Sequence, residues 1–168
     1  DVATLQDRYP NWDEMTESER LKSSRTVEPE DSETVYNVTT TRFHEYLVDN
    51  LDDTVTSSKA NVSAEWVGIG TAGASGTVSV DNTDLNNRVY EDTVTDIANN
   101  GTELLASTFV ESGEANNNSL DEVGLFTGNP SNLTSNDIFM LNHATFSPVE
   151  KDNSKTVTFD VTLTFSDK

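Results

Sequence analysis

Cysteine is absent from the 168 residues, which excludes disulfides, thiolate metal sites and cysteine nucleophiles, and leaves the redox compartment unreadable from thiols. Positive charge is scarce. Ten basic side chains face 30 acidic ones, for a formal charge of -20 and a pI near 4.1. Such a field repels phosphate polymers and anionic lipid, so no nucleic-acid partner is expected. No apolar run approaches the roughly 18 to 20 residues of a bilayer span. The longest are a few residues, as in Ile138-Phe139-Met140-Leu141. No membrane insertion is expected, and the mature form is expected to be soluble. At 18.4 kDa the chain has room for one ordinary domain with an appendage, or two small ones, and not for a large multidomain enzyme.

What is present is a coat of carboxylates. Fourteen of the 30 fall in residues 1–60 and 16 in residues 61–168, so the acidity is spread over the chain rather than collected in a tail. Self-repulsion on this scale opposes a compact state at ordinary ionic strength. In molar salt the Debye length falls to about 3 Å and most of that cost disappears. The composition therefore fits a salt-loving source. A wholly disordered acidic chain would lack the apolar patterning that follows.

The chain divides by composition near Thr56-Ser57-Ser58-Lys59, giving an expected N-terminal helical attachment or oligomerisation segment over 1–60 and a β-domain over 61–168. Thr16 and Glu19 have the spacing of a capping box, which predicts a short helix through Lys22, and Pro29 ends any continuation. Val35, Phe43, Leu47 and Leu51 recur on one side of the segment 32–52, with Val38 and Tyr46 flanking them. The β-branched run Val38-Thr39-Thr40-Thr41 moves the expected helix start toward Thr40. Its apolar stripe needs a partner surface, and Phe43, Tyr46, Leu47 and Leu51 are the expected oligomer or docking interface.

Beyond residue 60 the pattern changes to period two. In 156–166 the apolar residues are Val157, Phe159, Val161, Leu163 and Phe165, with Thr or Asp between them, which predicts a half-buried antiparallel strand. Further strands are expected over 62–69, 76–80, 88–97, 103–111, 121–126 and 138–146, each bounded by Gly, Asn, Pro or Asp. Asn99-Asn100-Gly101 suits a hairpin turn. Residues 112–119 and 127–136 read as polar loops. The fold class is mainly β: an antiparallel, jelly-roll-like β-sandwich of about seven to eight strands with an N-terminal helical segment.

No catalytic constellation stands out. His44 and His143 lie far apart, without an acid or nucleophile at a recognisable spacing, and are expected to be structural or at the surface. The paired acids Asp52-Asp53 and Asp121-Glu122 have the residue types of a glycosidase, but adjacent acids are expected at this acidity. Asp81-Asn82-Thr83-Asp84 and the set Asp49, Asp52, Asp53 offer oxygen ligands to calcium or magnesium without matching an EF-hand loop. Solvated charge with diffuse cations is the expected state, and no cofactor is expected. Val67-Gly68-Ile69-Gly70 lacks the third glycine of a dinucleotide site. Five sequons, at Asn37, Asn61, Asn100, Asn117 and Asn132, are potential glycosylation sites.

Four segments carry a resemblance. Trp66-Val67-Gly68-Ile69-Gly70-Thr71 precedes a Gly/Ser/Thr-rich loop, and Leu85-Asn86-Asn87-Arg88-Val89-Tyr90 leads into a strand. Leu120-Asp121-Glu122-Val123-Gly124-Leu125-Phe126 is the most specific of the four. Ala144-Thr145-Phe146-Ser147-Pro148-Val149-Glu150-Lys151 and the strand ending at Phe165 complete the order. Together they resemble a family of small β-rich structural proteins of tailed viruses, found among tail-fibre-like and virion-surface proteins. His143-Ala144-Thr145 departs from the basic residue that pattern often carries. The resemblance implies that Trp66, Gly68, Gly70, Glu122, Val123, Gly124, Leu125 and Phe126 form the motif core.

It also implies a non-enzymatic virion-surface component of a tailed virus with a halophilic host, assembled in the host cytoplasm as a homo-oligomer, a trimer or a pentamer. Expected partners are other virion proteins of the capsid, portal vertex, tail or baseplate, with the chain serving as a fibre or as a capsid turret or decoration. The loops 71–77, 112–119 and 127–136 would face a host glycan or surface layer. A cellular surface-layer or adhesion module, and more weakly a surface-glycan hydrolase, are the alternatives.

The charge argument is testable directly. The thermal unfolding midpoint should rise by several degrees between dilute buffer and molar potassium chloride, followed by circular dichroism, and a midpoint indifferent to salt would remove self-repulsion as a factor.

Overall fold

The computed structural model describes residues 1–51, 63–133 and 138–165, and the side chains of 49–51 lie outside that description. Its elements are α1 (Val2–Arg8), α2 (Glu17–Ser24), β1 (Val38–Thr39), α3 (Thr41–Leu51), β2 (Trp66–Gly70), β3 (Arg88–Thr93), β4 (Asp96–Asn99), β5 (Glu103–Val110), β6 (Asn118–Phe126), β7 (Met140–Lys151) and β8 (Val157–Thr164). Short 3-10 turns lie at Trp12–Glu14 and Pro130–Asn132. The fold is mainly β and sandwich-like, as the alternating patterns predict, with two antiparallel sheets of order β1-β7-β6-β2-β3 and β4-β5-β8.

The chain forms two compact units, and they do not follow the composition boundary. One gathers Asp1–Glu33, Val94–Asn118 and Glu150–Lys168; the other gathers Thr34–Thr93 and Ser119–Val149. The composition boundary itself lies within 52–62, outside the described residues.

In the first unit the N-terminal helices supply a hydrophobic face to β5. Asp1 caps α1 by accepting the Thr4 N–H at 2.8 Å. Thr16 and Glu19 form the predicted capping box on α2, each side chain accepting the other's backbone N–H. Leu5, Trp12, Leu21 and Phe109 then make one buried cluster, with the Trp12 and Phe109 rings edge to face at 6.1 Å. Two arginines fasten this layer. Arg20 lies over Trp12, donates to the Trp12 and Asp13 carbonyls and pairs with Glu111 at 2.5 Å. Arg25 donates to Ser107 Oγ and pairs with Asp160 at 2.6 Å. The helix α1 and the Trp12 turn were not anticipated, because seven helical residues holding one buried leucine make no readable period.

β8 follows its predicted alternation at Val161 and Leu163, which are buried between exposed Asp160, Thr162 and Thr164. Phe165 lies past the strand end and is 48% exposed. The hairpin at Asn99-Asn100-Gly101 joins β4 to β5, with Gly101 at φ +96°, where a side chain would be strained. The segment expected as one strand over 88–97 is interrupted: β3 ends at Thr93 in the second unit, and β4 starts at Asp96 in the first. Residues 76–80 form no strand. They belong to the long connection from β2 to β3, which is held by side-chain hydrogen bonds instead of a ladder.

The second unit is built on β6, whose residues Leu120 to Phe126 are all buried. A central strand covered on both faces has no reason to alternate, which is why this segment reads as motif rather than as period. β2 pairs with it over five positions, setting Trp66 against Phe126 and Gly68 against Gly124. A Cβ at Gly68 would stand 2.8 Å from the Phe126 ring, and one at Gly124 would stand 2.9 Å from Met140 Sδ. Both glycines therefore make room for neighbouring side chains. Leu85, Phe126 and Met140 close the core beside Trp66 and Leu133.

The apolar stripe of α3 turns toward this unit's own sheet. The helix starts at Thr41, near the predicted Thr40. Thr40 accepts the Phe43 N–H with its hydroxyl oxygen, and its hydroxyl donates to the Met140 carbonyl at 2.5 Å. Phe43 is 7% exposed, and the Tyr46 ring lies 5.8 Å from Phe139. Phe43 and Tyr46, expected at an oligomer or docking interface, thus also pack within their own unit, on a helix tethered by β1 to β7. Leu47 is half-buried, Val48 is exposed, and the Leu51 side chain lies outside the described residues.

Phe43→Ala should lower the unfolding free energy by about 3–5 kcal/mol in a urea titration without changing the association state. Loss of an oligomer at unchanged stability would return this residue to an interface.

Candidate functional site

Two adjacent acids on β6, Asp121 and Glu122, anchor the connection between β2 and β3. Successive strand residues point to opposite faces, so the pair cannot share one substrate-facing surface as neighbouring carboxylates on a loop could. The Asp121 carboxylate accepts the backbone N–H groups of Gly73 at 2.6 Å and Ala74 at 2.9 Å. Glu122 accepts the backbone N–H groups of Asn86 at 3.0 Å and Asn87 at 2.7 Å, and the Asn86 side-chain amide at 3.1 Å. One strand thereby holds both ends of a long irregular segment.

Glu122 carries a further partner. His143, on β7, donates from Nε2 to Glu122 Oε2 at 3.0 Å, and both side chains are fully buried. The other ring nitrogen faces Asn82 Oδ1 at 3.4 Å, and that oxygen also accepts the Ser79 N–H. Gly70 sits opposite Glu122 in the β2–β6 pairing. A Cβ there would collide with the Glu122 side chain and stand 2.7 Å from the Asn87 carbonyl oxygen. The second glycine of Trp66-Val67-Gly68-Ile69-Gly70 thus leaves space for a buried carboxylate.

The motif residues Trp66, Gly68, Gly70, Glu122, Val123, Gly124, Leu125 and Phe126 are brought together as one strand pair. His143 and Asn82 complete the cluster and carry no sequence signal, since 21 and 40 residues separate them from Glu122. The cluster can hold a loop and orient an imidazole. His44, by contrast, lies near the surface with Nε2 against Thr39 Oγ1 at 2.8 Å.

The oxygen sets proposed for a cation have protein partners where they are described. Asp81 accepts from Thr41, and Asp84 pairs with Arg88, which also pairs with Glu91 and donates to the Pro130 carbonyl. Asp52 and Asp53, and the side chain of Asp49, lie outside the described residues. Among the described residues no group of three or more His, Asp or Glu is placed to hold a metal ion. Of the sequon asparagines, Asn100, Asn117 and Asn132 are exposed and Asn37 is half-buried; Asn61 lies outside the described residues.

A second buried charge lies in the first unit. Lys151, at the end of β7, is 2% exposed, and its ammonium donates to Asn116 Oδ1 at 2.9 Å, to the Asp152 carbonyl at 2.9 Å and to the Ser112 carbonyl at 3.3 Å. Burial holds its pKa below the usual lysine range, against the opposing pull of Asp152 and Glu114. The unfolded chain keeps this proton to higher pH than the folded one. Stability from this group therefore rises with pH across the interval just below the ordinary lysine range.

No family model matches the chain, and no curated protein or solved structure does so either.

Glu122→Ala strips the acceptor from two loop N–H groups, an amide and His143. It should cost about 3 kcal/mol in urea unfolding, as leaving buried donors without an acceptor does. An unchanged midpoint would show that the cluster does not hold the loop.

Proposed function

We propose that the chain is a structural component of the surface of a tailed virus with a halophilic host, working as a fibre, turret or decoration rather than by catalysis. The observation that carries this reading is the pairing of its two glycine motifs. Trp66-Val67-Gly68-Ile69-Gly70 runs antiparallel to Glu122-Val123-Gly124-Leu125-Phe126, glycine opposite glycine. Two of the four segments that resemble the virion family thus form one contiguous element, with Glu122 binding the loop that follows Gly70. The charge of -20 supports the halophilic part of the reading, because a rigid acidic shell needs counterions to assemble with like-charged neighbours.

Because Phe43 and Tyr46 are engaged inside their own unit, assembly is assigned to other surfaces. The exposed side chains of Tyr36 and Val48 are candidates. Host contact is assigned to the polar loops, of which 71–77 and 112–119 are fully described.

Light scattering on a size-exclusion column, in molar potassium chloride and again at low salt, tests this reading. A discrete trimer or pentamer in high salt is expected. A folded monomer under both conditions would overturn the oligomeric virion reading and favour a cellular adhesion module.

A further inference from the structure

We propose that Lys151 and Asn116 are the two halves of an intramolecular isopeptide crosslink, formed by the chain itself without a cofactor. The Lys151 ammonium first loses a proton to solvent; the neutral Nζ then attacks Cγ of Asn116, and a Cγ–Nζ bond forms. The Cγ–Nδ2 bond breaks, an amine proton passes to Nδ2, and one ammonia leaves. No electrons are exchanged, and no second reactant is required.

Three observations carry the inference. The first is proximity: Nζ donates to Asn116 Oδ1 at 2.9 Å, so the amine and the amide are direct neighbours. Aminolysis of an amide is slow between free molecules. Held in contact, the same groups gain the large effective concentration of a pre-oriented pair. The second is the state of the amine. Lys151 is almost wholly removed from water, and burial favours its neutral, nucleophilic form. The third is the leaving side. Asn116 Nδ2 donates to the Ser112 carbonyl at 2.8 Å, so the amide is fixed from both ends and cannot rotate away from the amine.

The surrounding loop is shaped to hold this arrangement. Ala115 and Asn117 both have positive φ, at 50° and 63°, and the Asn118 side chain donates to the carbonyls of Ala115 and Asn116. The Asn117 N–H donates to the Lys151 carbonyl at 2.9 Å, which sets the two backbones side by side. Glu114 is near enough for its charge to act on Lys151, and its carboxylate accepts the Glu111 N–H.

A purely structural lysine would make the same hydrogen bonds, so the distinction must come from mass. The full chain, folded in molar potassium chloride at mildly alkaline pH and then denatured, should weigh one ammonia less than its sequence. Digestion should yield a branched peptide joining the Asn116 and Lys151 segments, with no tryptic cut after Lys151. Lys151→Arg and Asn116→Ala should each restore the full sequence mass.

Ring closure at Asn100-Gly101 would also release ammonia, but that loss would persist in Lys151→Arg and map to a different peptide. If either variant fails to fold, the branched peptide from the unmodified chain still decides. Full sequence mass after prolonged incubation, or an ammonia loss mapping only to Asn100, overturns the proposal.

Discussion

A shortage of positive charge is the constraint under which this chain folds. With 30 carboxylates and ten cations, most acidic groups must be left to solvent and counterions, and several of the described cations are spent at junctions. Arg20 and Arg25 fasten the N-terminal helices to β5 and β8; Arg88 gathers Asp84, Glu91 and the Pro130 carbonyl; Lys151 closes the 112–116 turn. Arg20, Arg25 and Lys151 tie segments distant in sequence, as Arg88 does through Pro130, and Arg20, Arg88 and Lys151 are largely shielded from water, where a pair is screened less by salt than on the open surface. High salt can therefore relax the repulsion of the shell while leaving these internal ties largely intact.

Where cations run out, backbone amides take their place. Asp121 and Glu122 are buried with N–H groups as their main partners, joined in the case of Glu122 by His143 and the Asn86 amide. A carboxylate that accepts several N–H bonds can be buried with little positive charge nearby. An acidic composition is thus compatible with acidic residues in the core.

Much of this architecture was legible in the sequence, and the exceptions share a cause. The capping box at Thr16 and Glu19, the hairpin glycine at position 101 and the alternation at Val161 and Leu163 are local signals, and each emerges where its pattern places it. The β2–β6 pair was visible as two glycine motifs but not as partners. Residues 76–80 had the composition of a strand and lack a ladder: the Gly76 N–H goes to the Ala72 carbonyl, the Ser79 N–H to the nearby Asn82 side chain, and the Val80 carbonyl accepts the Thr41 N–H. His143, Asn82 and Lys151 acquire meaning only through residues far away in the chain. Of the stripe expected over 32–52, Phe43 and Leu47 lie on α3 while Val35 and Val38 precede the helix, and which surface covers them is a tertiary fact that periodicity does not carry.

The anchoring of the β2–β3 connection has a consequence for solvent access on long timescales. Its amides at Gly73, Ala74, Asn86 and Asn87 bond to carboxylates rooted in a fully buried strand. Exchange of their protons with water then requires β6 to yield, not merely the loop to fluctuate. A segment without regular secondary structure would hold its deuterium label as long as the central sheet does, so that by hydrogen exchange it belongs to the core.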